Sequence, residues 1–553
     1  MALLKIQGGR VIDPAEGFDG ERDVWIEDGV VVAAPIDPAT RPARTIDARG
    51  LVVMPGGVDM HCHLAGPKVN AGRMLVPELN RRGRPIERTE LLPSGTLGAV
   101  PTAAVAGARY AGLGYTTAID AAISPSGATY ARLELADVPC IDKGFLVLLG
   151  NHHYMMDAIR RGEKERLHAA VAYVLESTRG LGVKIVDPGG VERWKQARGQ
   201  ITALDDNVEG FDVTPRAILE ALAEAVDNLA LPHPIHVHSN NLGLPGNRLS
   251  TLETFKTLDG RRAHFTHVQF HSYGGKLDNP GSIRSGVAEL ADYVNAHEGI
   301  TVDVGQVVFG ETLSMTADGP AAHYLRKLTG RKWLSHDVEL ETGCGVSPIS
   351  YDDKSLVHAV QWAIGLEWFL RVTDPWKIAL STDHPNGGSF LSYPQIIALL
   401  MDRGLRSDYL KRLPERLRSR STLGEMTREY TLEEIAIVTR AAPARILGLK
   451  NKGRLAEGAD GDLAIYSPDS DRERMFTLPK YVIARGEIVI ENGELRAARA
   501  GKLIRVEPSY DREAASDFKR TLAESSTIAA SRFQPRPDLH DDEVVAPCQN
   551  QIR

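Results

Sequence analysis

The sequence predicts an α/β protein: a TIM-like (β/α)8 barrel with a smaller β-sandwich domain built from both chain ends. Three observations predict it. Apolar strand-like runs alternate with helical stretches through the middle of the chain. Both ends instead carry short β-branched runs broken by turn pairs. The chain has 553 residues, 43% of them hydrophobic, enough for a barrel of about 250 residues or more and a second unit.

In chain order, LLKIQGGRVIDP and DVWIEDGVVVAAP alternate as short strands, and TIDARGLVVMPGGVDMHCHL runs apolar into a Pro-Gly-Gly break. GYTTAIDAA, GFLVLLGN, GVKIVDPGG, PIHVHSNN and WKIALSTDHP follow as apolar strands. TPRAILEALAEAVDNLA and SGVAELADYVNAH have helical spacing between them. YTLEEIAIVTRAAPARILGL predicts a helix that Thr431 caps, with Glu434 completing a capping box. RLAEGADGDLAIYSP and KYVIARGEIVIENGEL then return to alternation. The expected organisation is a composite sandwich from 1–52 and 450–500, a barrel over 53–449, and an extended tail over 501–553. That polar tail is expected to lie over the surface or over a partner.

Composition removes several function classes. Charged residues make up 25% and the net charge is −7; a generic nucleic-acid binder is usually basic, so no nucleic-acid partner is expected. Cys62, Cys140, Cys344 and Cys548 are scattered and form no CxxC, which argues against an iron–sulfur cluster or a zinc ribbon. So few cysteines fit a reducing cytoplasm. The start of the chain lacks the pattern of a secretory signal, and no run of about 18 apolar residues suggests a membrane span.

The chemistry gathers at strand ends. His61 and His63 are two apart after an apolar strand, so both rings face one side while Cys62 faces the other. Two such imidazoles can hold a divalent cation. PIHVH adds His236 and His238, HFTHVQFH adds His264, His267 and His271, and STDHP adds Asp383 and His384. Lys184 interrupts an apolar strand, and a buried lysine is costly unless paired or modified. Each alone has an ordinary structural explanation. Together they place ligand-type side chains where a barrel carries its active site.

PGGVDMHCH, THV, STDHP and KGRLAEGADGDLAIY resemble the amidohydrolase superfamily, especially its dihydroorotase- and hydantoinase-like members. The resemblance implies two metals held by His61, His63, Lys184, His238, His267 and Asp383, with zinc the default ion and Lys184 as N6-carboxylysine. On the same motifs His238 is preferred to His236, His267 to His271, and Lys184 to the runner-up Lys143. It also implies that a hydroxide shared by the metals attacks a carbonyl, with Asp383 as catalytic proton shuttle.

Four loops, GNHHYMM (150–156), HSNNLGLPGN (238–247), QFHSYGG (269–275) and ELETGCG (339–345), go beyond the superfamily pattern. As a set they look like the A-subunit family of formylmethanofuran dehydrogenases and bacterial formyltransferase/hydrolase complexes. That resemblance implies reversible hydrolysis of N-formylmethanofuran or N-formylmethylofuran to formate and the free amine. It also implies a multi-subunit complex in one-carbon metabolism that includes a formyltransferase subunit. Asn151, His152, Asn240 and His271 are the expected substrate contacts. The basic segments 80–88 and 409–420 could meet an acidic tail of such a cofactor, although interspersed glutamates favour a solvated face. A cyclic amidase, an N-acyl-amino-acid deacylase and a non-catalytic scaffold are the alternatives.

Overall fold

The computed structural model describes residues 3–549 except 38, 79–84, 87, 94, 97, 197–198, 278, 337–343 and 535–541. Most of the basic segment 80–88 and of the loop 339–345 therefore lies outside the described residues. Eight strands build the barrel: Gly57–Cys62, Tyr115–Ile123, Asp142–Leu148, Gly182–Val186, Ile235–His238, Ala263–Phe265, Ile300–Asp303 and Ile378–Ala379. They pair in parallel in chain order. Closure comes at the top, where Cys62 bridges His384 and the His63 N–H donates to the His384 carbonyl at 2.8 Å. Helices cover the outer faces, so both sides of each strand are dry. This is why the strands read as apolar runs rather than as alternation. The seventh strand, ITVD, is short and escaped the sequence reading.

The capped helix is present, with Thr431 and Glu434 forming the capping box. It is not uniform: Ile437–Ala441 winds as a π turn before Ala442–Ile446. Pro443 has no N–H to continue the ladder. The widened turn lets the Val438 carbonyl accept the N–H of Leu380 at 2.9 Å, beside the eighth strand.

The chain ends form a single nine-stranded sheet. Leu4–Asp13 sits at its centre, antiparallel to Phe18–Glu27, with Arg44–Asp47 and Val52–Pro55 sharing its other edge. Leu463–Tyr466 pairs with Val52–Pro55, and Tyr481–Ala484 and Glu487–Glu491 extend the sheet. Its own core includes Ile6, Val24, Ile46, Val53, Leu463 and Ile483. Val52–Pro55 thus carries this sheet past the boundary expected at residue 52. Only a short glycine link separates it from the barrel, and a Cβ on Gly56 would stand 2.1 Å from Thr116 Oγ1. The Pro-Gly-Gly break is required by that close approach.

The expectation of an extended tail is corrected. Leu503–Arg505 runs parallel to Lys143 and Gly144 at the foot of the barrel, and Glu543–Val545 adds beside it. Between them Ala514–Ser525 is a helix that buries Ala515, Phe518 and Leu522. One apolar stripe on a polar helix leaves the composition polar, which is what misled the reading. Lys143, the runner-up ligand, belongs to this region: its Nζ donates to the Val138 and Gly501 carbonyls at 3.1 and 2.7 Å.

A buried ion cluster joins the parts. Lys452 Nζ lies 2.5 Å from Asp142, 2.6 Å from Asp462 and 2.8 Å from Asp460. Arg485 adds ion pairs to Asp142 and Asp460. Burial would raise the Asp142 carboxyl, but Lys452 and Arg485 hold it well below the carboxylate range. Lys452→Met leaves three buried carboxylates around one guanidinium, and the expected loss of stability is about 3–5 kcal/mol in urea unfolding. A loss under about 1 kcal/mol, the value of an exposed pair, would contradict this role.

Candidate metal centre

At the C-terminal mouth of the barrel, Asp383 Oδ1 lies 3.1 Å from His61 Nε2 and 3.1 Å from His63 Nε2. His61, His267 and Asp383 offer ligand atoms all within 4.8 Å of one another, and so do His238, His267 and His271. The His238 and His267 rings are 4.7 Å apart. Lys184 is 1% exposed, and its Nζ finds no hydrogen-bond partner among the described residues. All six expected ligands line one cavity of about 340 Å³.

Local backbone explains part of the convergence. His267 and Asp383 both adopt left-handed φ, 36° and 51°. Such angles are strained for residues that carry a Cβ, and they re-aim each side chain as its strand ends. The His267 N–H donates to Asp303 Oδ1 at 3.0 Å, and Ser381 Oγ donates to the same oxygen at 2.7 Å.

The ring nitrogens can be assigned from a chain of partners. His233 Nδ1 is 3.0 Å from the Ile446 carbonyl, so it donates there. Its Nε2 then accepts from His236 Nδ1 at 2.9 Å, and His236 Nε2 accepts from His61 Nδ1 at 3.1 Å. Burial keeps both donors neutral, pulling His233 down to about 3 and His236 well below its ordinary value. Thr266 Oγ1 and Asp303 Oδ2 also face His61 Nδ1. His61 Nε2 is left with its lone pair towards Asp383, as a metal ligand requires.

Electrostatics asks for positive charge at this point. Burial and Lys184 lower His61, yet Asp303 and Asp383 outweigh them and raise it. Burial would raise Asp383, but the rings of His267, His61 and His63 hold it well below the usual carboxylate range. Burial depresses His238 and His267 strongly, which keeps them neutral donors. It also brings the Lys184 ammonium down to about 7, so the neutral amine needed to form a carbamate is populated. Neutral imidazoles, an ionised carboxylate and an amine without a partner fit divalent cations.

The expected substrate contacts fare differently. Asn151 donates to the carbonyls of Val186 and Asp187 at 2.7 and 3.1 Å, knitting two strand ends together. His152 is buried beside Phe518 of the C-terminal helix. Asn240 donates to Asp187 Oδ1 at 2.6 Å and to the Pro188 carbonyl at 3.2 Å. None of these three lines the cavity, so their expected role as substrate contacts is corrected. His271 does not line it either, although its ring stacks on His267 at 5.3 Å. In the 409–420 segment, Arg412 stacks over Tyr409 outside this cavity.

The sequence reading missed Asp120, Asp303 and Asp318. Asp120 accepts the N–H groups of Leu64 and Ala65 at 2.8 and 3.0 Å, and lies 3.6 Å from His63 Nδ1. Asp120 and Asp303 each stand in or at the end of an apolar strand, the same signal that singled out Asp383. The far cavity wall is apolar, with Phe270, Met315, Leu325 and Ile349 among its residues.

A sequence model of the amidohydrolase family matches residues 44–490. The chain belongs to the amidohydrolase family. Its relatives include Protein FwdA of Methanocaldococcus jannaschii, 41% identical over 94% of this chain and 93% of that one. The A-type subunit of the Fhc formyltransferase/hydrolase complex of Methylorubrum extorquens is 42% identical over 92% of each chain. Among solved structures, one chain of the Methylorubrum extorquens FhcABCD complex with methylofuran superposes with a TM-score of 0.92 at 39% identity. That match covers 99% of this chain and 100% of the other. Among the described residues no helix is long and apolar enough to cross a membrane.

Proposed function

We propose that this chain hydrolyses the formamide of N-formylmethanofuran or N-formylmethylofuran, reversibly, to formate and the free furfurylamine. It does so as one member of a cytoplasmic complex that includes a formyltransferase. The observation that carries the reading is the full set of six donor side chains at the blind end of one cavity, in a chain about 40% identical to subunits of such complexes over nearly its whole length. His61, His63 and Asp383 would hold one divalent cation and His238 and His267 the other, with carboxylated Lys184 bridging. Zinc suits these ligands because the chemistry needs no redox change. When bound, two such cations polarise a carbonyl and lower the pKa of water.

The chain's own residues supply the rest. Asp383 accepts the proton of the attacking water at its carboxylate and returns it to the leaving amine nitrogen. Neutral His61 and His63 keep that carboxylate ionised and oriented. The apolar wall holds the aromatic part of the substrate and keeps bulk water from the reacting carbon.

The test is formate release by the purified complex from N-formylated methanofuran or methylofuran, beside hydantoins, dihydroorotate and N-acyl amino acids. Formate release with the formylated furfurylamines alone is the expected result. Turnover of a cyclic amide or an acyl amino acid with no formate release would replace this reading with another amidohydrolase activity.

A further inference from the structure

Asp318 belongs to no barrel strand. It stands in the excursion between the seventh and eighth strands, at the N-terminus of the helix Gly319–Thr329. It is 2% exposed. Its two oxygens do different things. Oδ1 accepts the N–H of Ala321 at 2.8 Å and so caps the helix. Oδ2 lies 3.2 Å from Nε2 of His238. The helix it caps forms part of the cavity wall through Ala321, Tyr324, Leu325 and Leu328. One carboxylate therefore touches both the wall of the substrate cavity and a ring at its blind end.

The consequence follows from imidazole chemistry. A neutral ring has one N–H and one lone pair, and the partner at one nitrogen decides the role of the other. A carboxylate at Nε2 favours the proton there and leaves the lone pair on Nδ1. We propose that Asp318 is a positioning residue: it fixes the tautomer and angle of His238 for metal binding, and it ties the cavity-wall helix to the metal centre. This rests on the metal reading of the proposed function. His61 receives the same service from Asp303 and the His236–His233 chain, but those partners lie inside the barrel. Asp318 comes from the wall, so any shift of the wall helix is transmitted to a metal ligand.

Asp318→Ser separates the two duties. Serine caps a helix about as well as aspartate, but it is too short to span from Ala321 to His238. The full-length chain is stripped of metal and titrated with zinc against a chromophoric chelator. Wild type is expected to take two zinc ions. The serine variant is expected to bind one as before and the other about 10–100-fold more weakly, with unchanged melting of the metal-free protein. In a His238→Ala background the same substitution is expected to change zinc binding no further, because Asp318 acts through His238. If the serine variant does not fold, Asp318→Asn is read instead. It keeps the shape, has one acceptor for two donors, and is expected to show the same loss at one zinc. Two zinc ions bound with wild-type affinity in both variants would overturn the role of Asp318 and leave the metal centre standing. Wild type that binds no zinc would overturn both.

Discussion

Asp383→Asn lowers turnover of the formylated amine about 10²–10⁴-fold while the Michaelis constant changes little, the range for losing a general acid–base. The expectation comes from geometry. The carboxylate sits 3.1 Å from two ring nitrogens and is held ionised in a fully buried setting. It can therefore take a proton only from a group that enters the cavity. The amide of asparagine keeps one oxygen and the shape but cannot accept that proton. Because Asp383 is also a proposed ligand, zinc content must be measured on the same sample. Full zinc with lost turnover assigns the effect to proton transfer; wild-type kcat would remove Asp383 from the chemistry.

Lys184→Met is the second large effect. The lysine amine is buried without a hydrogen-bond partner among the described residues, so as a plain lysine it costs stability. Methionine has similar bulk and no charge to desolvate. The variant is expected to be at least as stable as wild type in thermal melts. It is expected to lose the bridged metal pair and more than about 10³-fold in turnover, several kcal/mol of metal-derived stabilisation. For the smaller Lys184→Ala, short carboxylic acids added to the assay are expected to restore part of the activity by standing in for the carbamate. A Lys184→Met protein with full zinc and normal turnover would show that the lysine is structural.

Sequence alone located the centre because barrel topology turns local motifs into global position. His61, His63, His238, His267 and Asp383 each end an apolar run, and parallel strands in chain order bring all such ends to one mouth. Lys184 was legible for the converse reason, a charge where the strand is otherwise apolar. What escaped was set by partners distant in sequence. Asp318 is 80 residues from His238, and nothing near it marks its second oxygen as aimed at a ligand. Asn151 and Asn240 misled because a loop that satisfies backbone carbonyls uses the same residues as one that holds a ligand. The C-terminal segment misled because its few apolar side chains are all that the helix there buries.

The most direct test of the metal centre is anomalous diffraction at the zinc edge from crystals of the natively purified protein. The expected result is two peaks per chain, one among His61, His63 and Asp383 and one beside His238 and His267, with density continuing beyond Lys184 Nζ. No peak, a single peak, or a bare lysine would contradict the dinuclear, carbamate-bridged centre on which the proposed hydrolysis depends.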